Sequence, residues 1–133
     1  MGNAVIWHRG SKPLTPAERE HLERVRALGC ECCAQFGVIW YQPVEAHHLL
    51  LGGKRISHMH TICLCPAHHR RVPFTLYQTL MLPAEARVSL ADGSRAFTRA
   101  FGTERELYER VCLKLGLEAH WPETKVLPRR LHG

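Results

Sequence analysis

Two short spacings, Cys30-x-x-Cys33 and Cys65-x-x-His68, constrain this chain more than any other feature of it. At that spacing one turn of backbone can present two ligands to a single tetrahedral ion. Together the pairs make a Cys3His set, closed and structural, of the kind that holds zinc. Any fold must therefore bring residues 30–33 against residues 65–68. Zinc bound in this way contributes about 10–16 kcal/mol in small peptides. A chain of 133 residues builds only a modest core, and such a site would brace it. The competing reading, in which these are buried cysteines packing as small apolar groups, explains one pair more readily than two. Cys63 and Cys112 are read as core residues, and Cys32 has no assigned role.

Six cysteines would also suit a disulfide scaffold. The N-terminal residues MGNAVIWHRG lack the apolar run of a signal peptide, and no segment is long and apolar enough to span a membrane. The expectation is a cytoplasmic chain with reduced thiols, where cysteines near histidines read first as metal ligands. Lys and Arg number 18 against 12 Asp and Glu, and this net charge of +6 favours an acidic partner such as nucleic acid.

Residues 1–14 read as a basic arm carrying His8, Arg9 and Lys12. A helix should start after Thr15, with Pro16 at its first position, Glu18 closing a capping box, and Leu22, Val25 and Leu28 facing inward until Gly29. VIWYQPVEAHHLL reads as two short strands or a hairpin with Pro43 near the turn, and GGKRISHMH as a loop. TICLC enters a helix opened by Pro66. Residues 73–95 read as loop with some helix, and SRAFTRAFG as a short helix stopped by Gly102. A final helix follows Thr103, with Glu106 closing its capping box and Leu107, Val111 and Leu115 facing the core. One domain, 15–118, is expected between the arm and a basic tail, 119–133.

Six histidines fall between Glu45 and Arg71, with Lys54, Arg55, Arg70 and Arg71, while no Asp or Glu occurs from Ala46 through Ala84. On a helix His68 and His69 project about 100° apart, so one can serve the zinc while the other faces a second centre. On a strand His47 and His48 point to opposite faces, and both reach one site only where the strand ends.

The series Cys-x-x-Cys, His-His, Leu-Cys-x-x-His-His resembles the HNH (ββα-metal) endonucleases. More narrowly, HHLL…GKRISHMHTICLCPAHHR followed by FTRAFGTERELYERV resembles the phage recombination-enhancement, RecA-dependent nucleases, over about residues 28–115. The resemblance implies an α+β fold: a small ββα-metal core braced by the structural zinc, with flanking helices. It implies that His47 and His69 hold a catalytic divalent ion (zinc, magnesium, manganese or nickel) and that His48 is the general base. The middle of the pattern, usually Asn, falls on His60, five residues before Cys65, or on His58. The implied activity is hydrolysis of DNA phosphodiester bonds in phage or prophage recombination or repair in a bacterial host, with a RecA-type filament as partner.

The residue types suit that chemistry. Neutral histidine takes a proton from water near pH 7. An ion on imidazoles acts as a Lewis acid at phosphate. Lys54, Arg55, Arg70 and Arg71 suit phosphate contacts without base readout. A non-catalytic zinc-containing DNA-binding protein would need the basic window, but neither His48 directly after His47 nor His69 directly after His68. A junction-resolving nuclease would share the chemistry and differ in substrate shape.

Overall fold

The computed structural model describes residues 13–122. Trp7, His8, Arg9 and Lys12 of the expected arm, and Arg129 and Arg130 of the tail, lie outside the described residues. Helix α1 (Pro16–Ala27) begins as its sequence dictates: the Thr15 hydroxyl accepts the Glu18 amide at 3.1 Å, and the Glu18 carboxylate accepts the Thr15 amide at 2.9 Å. A cap of this kind is worth about 1 kcal/mol. Gly29 then turns out of the helix at φ 82°, and a Cβ there would lie 2.4 Å from the Trp40 carbonyl oxygen. Both handedness and close approach require glycine. That approach lets the Cys30 amide donate to the same carbonyl at 2.8 Å, which closes the loop around the short helix α2 (Glu31–Gln35).

The expected pair of strands between residues 38 and 50 is only half present. Residues 38–44 form no strand, because their backbone serves the turn instead: the Val38 amide donates to the Cys33 carbonyl, and the Trp40 indole to the Pro43 carbonyl. Strand β1 (Glu45–His48) pairs antiparallel with β4 (Thr61–Leu64), in the register Glu45 to Leu64 and His48 to Thr61. Between them a small ribbon, β2 (Leu50–Leu51) with β3 (Lys54–Arg55), projects as the tip.

All four residues of β4 are buried, and α1, α2 and α6 pack against it. Fully buried Ile62 and Leu64 contribute about 1.5–3 kcal/mol each. The chain runs from β4 into helix α3 (Pro66–Arg70), so strand, strand and helix form one unit. Thr75 caps α4 (Leu76–Met81), with Gln78 completing the box, and two 3₁₀ turns follow at Ala84–Ala86 and Leu90–Asp92. Helix α5 (Ser94–Phe101) ends at Gly102, and α6 (Glu104–Leu115) begins at the expected Thr103–Glu106 box. The fold is α+β: small antiparallel sheets among helices. Residues at the start of the expected tail fold back, with Trp121 packing on Tyr108 and His60 at 5.7 and 6.1 Å between ring centroids. Among the described residues no helix is long and apolar enough to cross a membrane.

Candidate active site

The four residues at zinc spacing converge. Cys30, Cys33, Cys65 and His68 are all buried, and their ligand atoms lie within 4.8 Å of one another. His68 Nδ1 stands 3.5, 3.6 and 3.3 Å from the sulfurs of Cys30, Cys33 and Cys65. Tetrahedral zinc, with bonds of about 2.3 Å to sulfur and about 2.0 Å to nitrogen, holds those atoms roughly 3.5 Å apart. The outer contacts fit as well. His68 Nε2–H donates to the Ala86 carbonyl at 2.8 Å, leaving Nδ1 as the ligand nitrogen. The amides of Cys33 and His68 donate to Cys30 and Cys65 sulfur, both at 3.4 Å. Buried Gln78 donates to Cys33 and Cys65 sulfur at 3.4 and 3.2 Å.

Charge points the same way. Burial lifts the Cys30 thiol, but hydrogen bonds from Cys32, Cys33, Cys65 and His68 outweigh it and hold Cys30 well below the usual range. Burial lowers His68, yet its bonds to Cys30 and Cys65 carry it up to about 10. The Cys33 thiol is pushed up instead, by its bonds to Cys30 and Cys65 first and by burial next, so the negative charge gathers on Cys30 beside His68. Cys32, Cys63 and Cys112 are buried free thiols, and the core role expected of Cys63 and Cys112 fits their burial.

A second group of side chains lies across β1 and α3. Strand parity places Glu45 and His47 on one face, and α3 supplies His69 to it. The His47 and His69 rings stand 5.3 Å apart, edge to face. Each is backed by a carboxylate: His47 Nε2–H donates to Glu104 Oε2 at 3.0 Å, and His69 Nδ1–H to Glu45 Oε1 at 2.8 Å. His48 projects from the other face of β1, and its Nε2 shares a hydrogen bond of 3.0 Å with His58 Nδ1. His58 is itself tied down, since its carbonyl accepts the buried Thr61 hydroxyl at 2.9 Å. Burial first, then Arg55, His58 and His47, lower His48 to about 4, so its ring is neutral at pH 7.

His60 is brought to neither group. It stacks on Tyr108 at 4.7 Å, donates through Nε2–H to the His120 carbonyl at 2.6 Å, and accepts the Ser57 hydroxyl at 2.7 Å. Among the described residues, then, His47 and His69 come together, His48 meets His58, and His60 joins the packing against α6.

A family model described as recombination enhancement, RecA-dependent nuclease matches residues 14–115. The chain belongs to the RecA-dependent nuclease family. A comparison with curated proteins gives no match. The family match spans α1 through α6 and so includes the Cys3His group, all six histidines of the window, and Glu104. Membership in the RecA-dependent nucleases implies a nuclease of recombination enhancement, with DNA as substrate and a link to RecA.

One inference from sequence needs correction within this nuclease. The absence of acids from residues 46 to 84 suggested unneutralised cations, but the fold supplies acids from outside that stretch. Arg70 pairs with Glu45 at 2.8 Å, and Arg71 pairs with Asp92. Lys54 and Arg55, exposed on β3, pair with no carboxylate among the described residues. Glu45, Glu104 and Gln78 are site residues that sequence reasoning missed. Glu45 was readable in principle, because it lies two residues before His47 and therefore on the same strand face. Glu104 is 57 residues from His47, and nothing local announces it.

Proposed function

We propose that this RecA-dependent nuclease is an HNH-type endonuclease that hydrolyses DNA phosphodiester bonds. The observation that carries the reading is the convergence of His47 and His69 from strand and helix, with neutral His48 next in the chain. Two imidazoles on one tetrahedral ion have ring centres roughly 5 Å apart by the usual metal–nitrogen distances, close to the separation found. In this reading His47 and His69 hold the catalytic divalent ion through the nitrogens not bonded to Glu104 and Glu45. A bound ion would supply Lewis-acid stabilisation of the departing 3′ oxygen. Imidazole donors favour zinc or nickel over magnesium, and the carboxylates behind them raise ring basicity.

His48 takes the proton from water as its oxygen attacks phosphorus, and the bond from phosphorus to the 3′ oxygen breaks. The products are a 5′-phosphate and a 3′-hydroxyl. The reading gives His58 the central position of the motif, because it holds the other end of the His48 hydrogen bond, and relieves His60 of that role. Lys54 and Arg55, with Arg70 and Arg71 beside them, grip backbone phosphate. The Cys3His group holds structural zinc, and residues 15–118 are the nuclease domain, acting in the bacterial cytoplasm where DNA and recombinase filaments meet.

The test is incubation of purified protein with plasmid, single-stranded and branched DNA. Each is offered with magnesium, manganese, nickel or zinc, with and without RecA-type filaments. Cleavage that requires an ion and a filament and leaves 5′-phosphates supports the reading. Binding without cleavage under every condition would leave the accessory-protein alternative.

A further inference from the structure

The carboxylate of Glu104 uses both oxygens, one on β1 and one on the start of β2. Oε2 accepts from the His47 ring at 3.0 Å, and Oε1 accepts the Leu50 amide at 3.0 Å. The group comes from outside the strand–strand–helix unit, at the first residue of α6. We propose that Glu104 is a positioning residue for His47: it fixes the tautomer with hydrogen on Nε2 and leaves Nδ1 as the nitrogen offered to an ion. The proposal rests on the reading of His47 as a ligand.

Several features favour positioning over a passive tie. A helix start is where an anion is most stable. With Oε1 accepting the Leu50 amide, the carboxylate is placed as an acceptor, so the hydrogen it shares with the ring belongs to His47. The Leu50 amide, two residues past the end of β1, anchors the carboxylate beside His47. The His47 side chain is only 14% exposed, so solvent competes weakly for the bond. Glu45, by contrast, divides its charge between His69 and Arg70. Histidine ligands are commonly held this way, and loss of the outer carboxylate lowers metal affinity by about 10–100-fold.

Nitrogen-15 NMR of the imidazoles in the full, zinc-loaded chain tests this, with manganese affinity measured in parallel. The wild type should show His47 with hydrogen on Nε2. Glu104→Ala should move His47 toward the other tautomer and weaken manganese binding about 10–100-fold. Glu104→Gln keeps an acceptor oxygen and should retain the wild-type tautomer. An unchanged His47 spectrum in Glu104→Ala, or hydrogen on Nδ1 in the wild type, overturns the proposal. A mere strut would lower the melting temperature and leave the spectrum alone. Both readouts are taken without DNA, so they stand apart from the nuclease reading, which falls if no ion or filament elicits cleavage.

Discussion

His47 and His69 face each other edge to face across the seam between β1 and α3, 5.3 Å between ring centres. Neither ring belongs to the fully buried core, the side chains being 14% and 24% exposed, so each variant should still fold. His47→Ala and His69→Ala should each reduce cleavage at least about 100-fold, while zinc content and melting temperature stay within error of wild type. Supercoiled-plasmid nicking and metal analysis on the same preparations check this. Full nicking by either variant would remove that residue from the ion.

His48→Ala should keep folding and DNA binding but lose cleavage by about 100- to 10,000-fold, the usual worth of a general base. His58→Ala should lose less, since it acts through His48. Filter binding beside single-turnover cleavage separates the two quantities, and a His58 variant worse than the His48 variant would reverse the assignment.

Cys33→Ala should lower zinc content and thermal stability together, because an ion held by the Cys3His group would join α2 to α3. Gln78→Leu removes two bonds to sulfur and should weaken zinc retention against a chelator more mildly. An unchanged melt with a full metal load in Cys33→Ala would strike Cys33 from the ligand set.

Acid should destabilise the protein through His48. The unfolded ring binds a proton near pH 6.5, whereas the folded one refuses it until about 4. Between those values the unfolded state binds more protons, so stability is full above 6.5 and declines as pH falls toward 4. Because His48 is only half-buried, solvent screening trims the effect to on the order of 1 kcal/mol. His48→Gln should flatten this part of the curve in urea melts at pH 5 and 7. Parallel curves for the two proteins would count against the burial argument.

Lys54 and Arg55 should matter more for DNA than Arg70 and Arg71. Replacing the first pair with alanine should weaken binding and reduce the salt slope by about 2. The second pair is already engaged by Glu45 and Asp92, so its loss should change the slope less. Titrations at several salt concentrations decide the ranking.

The Cys3His group was legible in sequence because its members come as two local pairs whose spacing has a geometric meaning. The capped helices were legible too: Thr15 with Glu18 and Thr103 with Glu106 announce themselves within four residues. The stretch from Val38 to Val44 misled, since its apolar pattern suits a strand while its backbone is taken by the turn around Cys33. The partners of His47, His48 and His69 were the least legible. Glu104 and Asp92 reach the site through tertiary packing, and His58 could not be told from His60 until Tyr108 and Trp121 claimed the latter.

Helix α6 touches both centres. Its first residue grips His47, and farther along Arg110 and Lys114 hold buried Glu31, between Cys30 of the Cys3His group and Cys32, at 3.3 and 2.9 Å. A chain cut before Thr103 would still carry every cysteine ligand and every histidine of the window. It would lack the beam that sets one centre's distance from the other, and would own the tools of hydrolysis without the jig that aligns them.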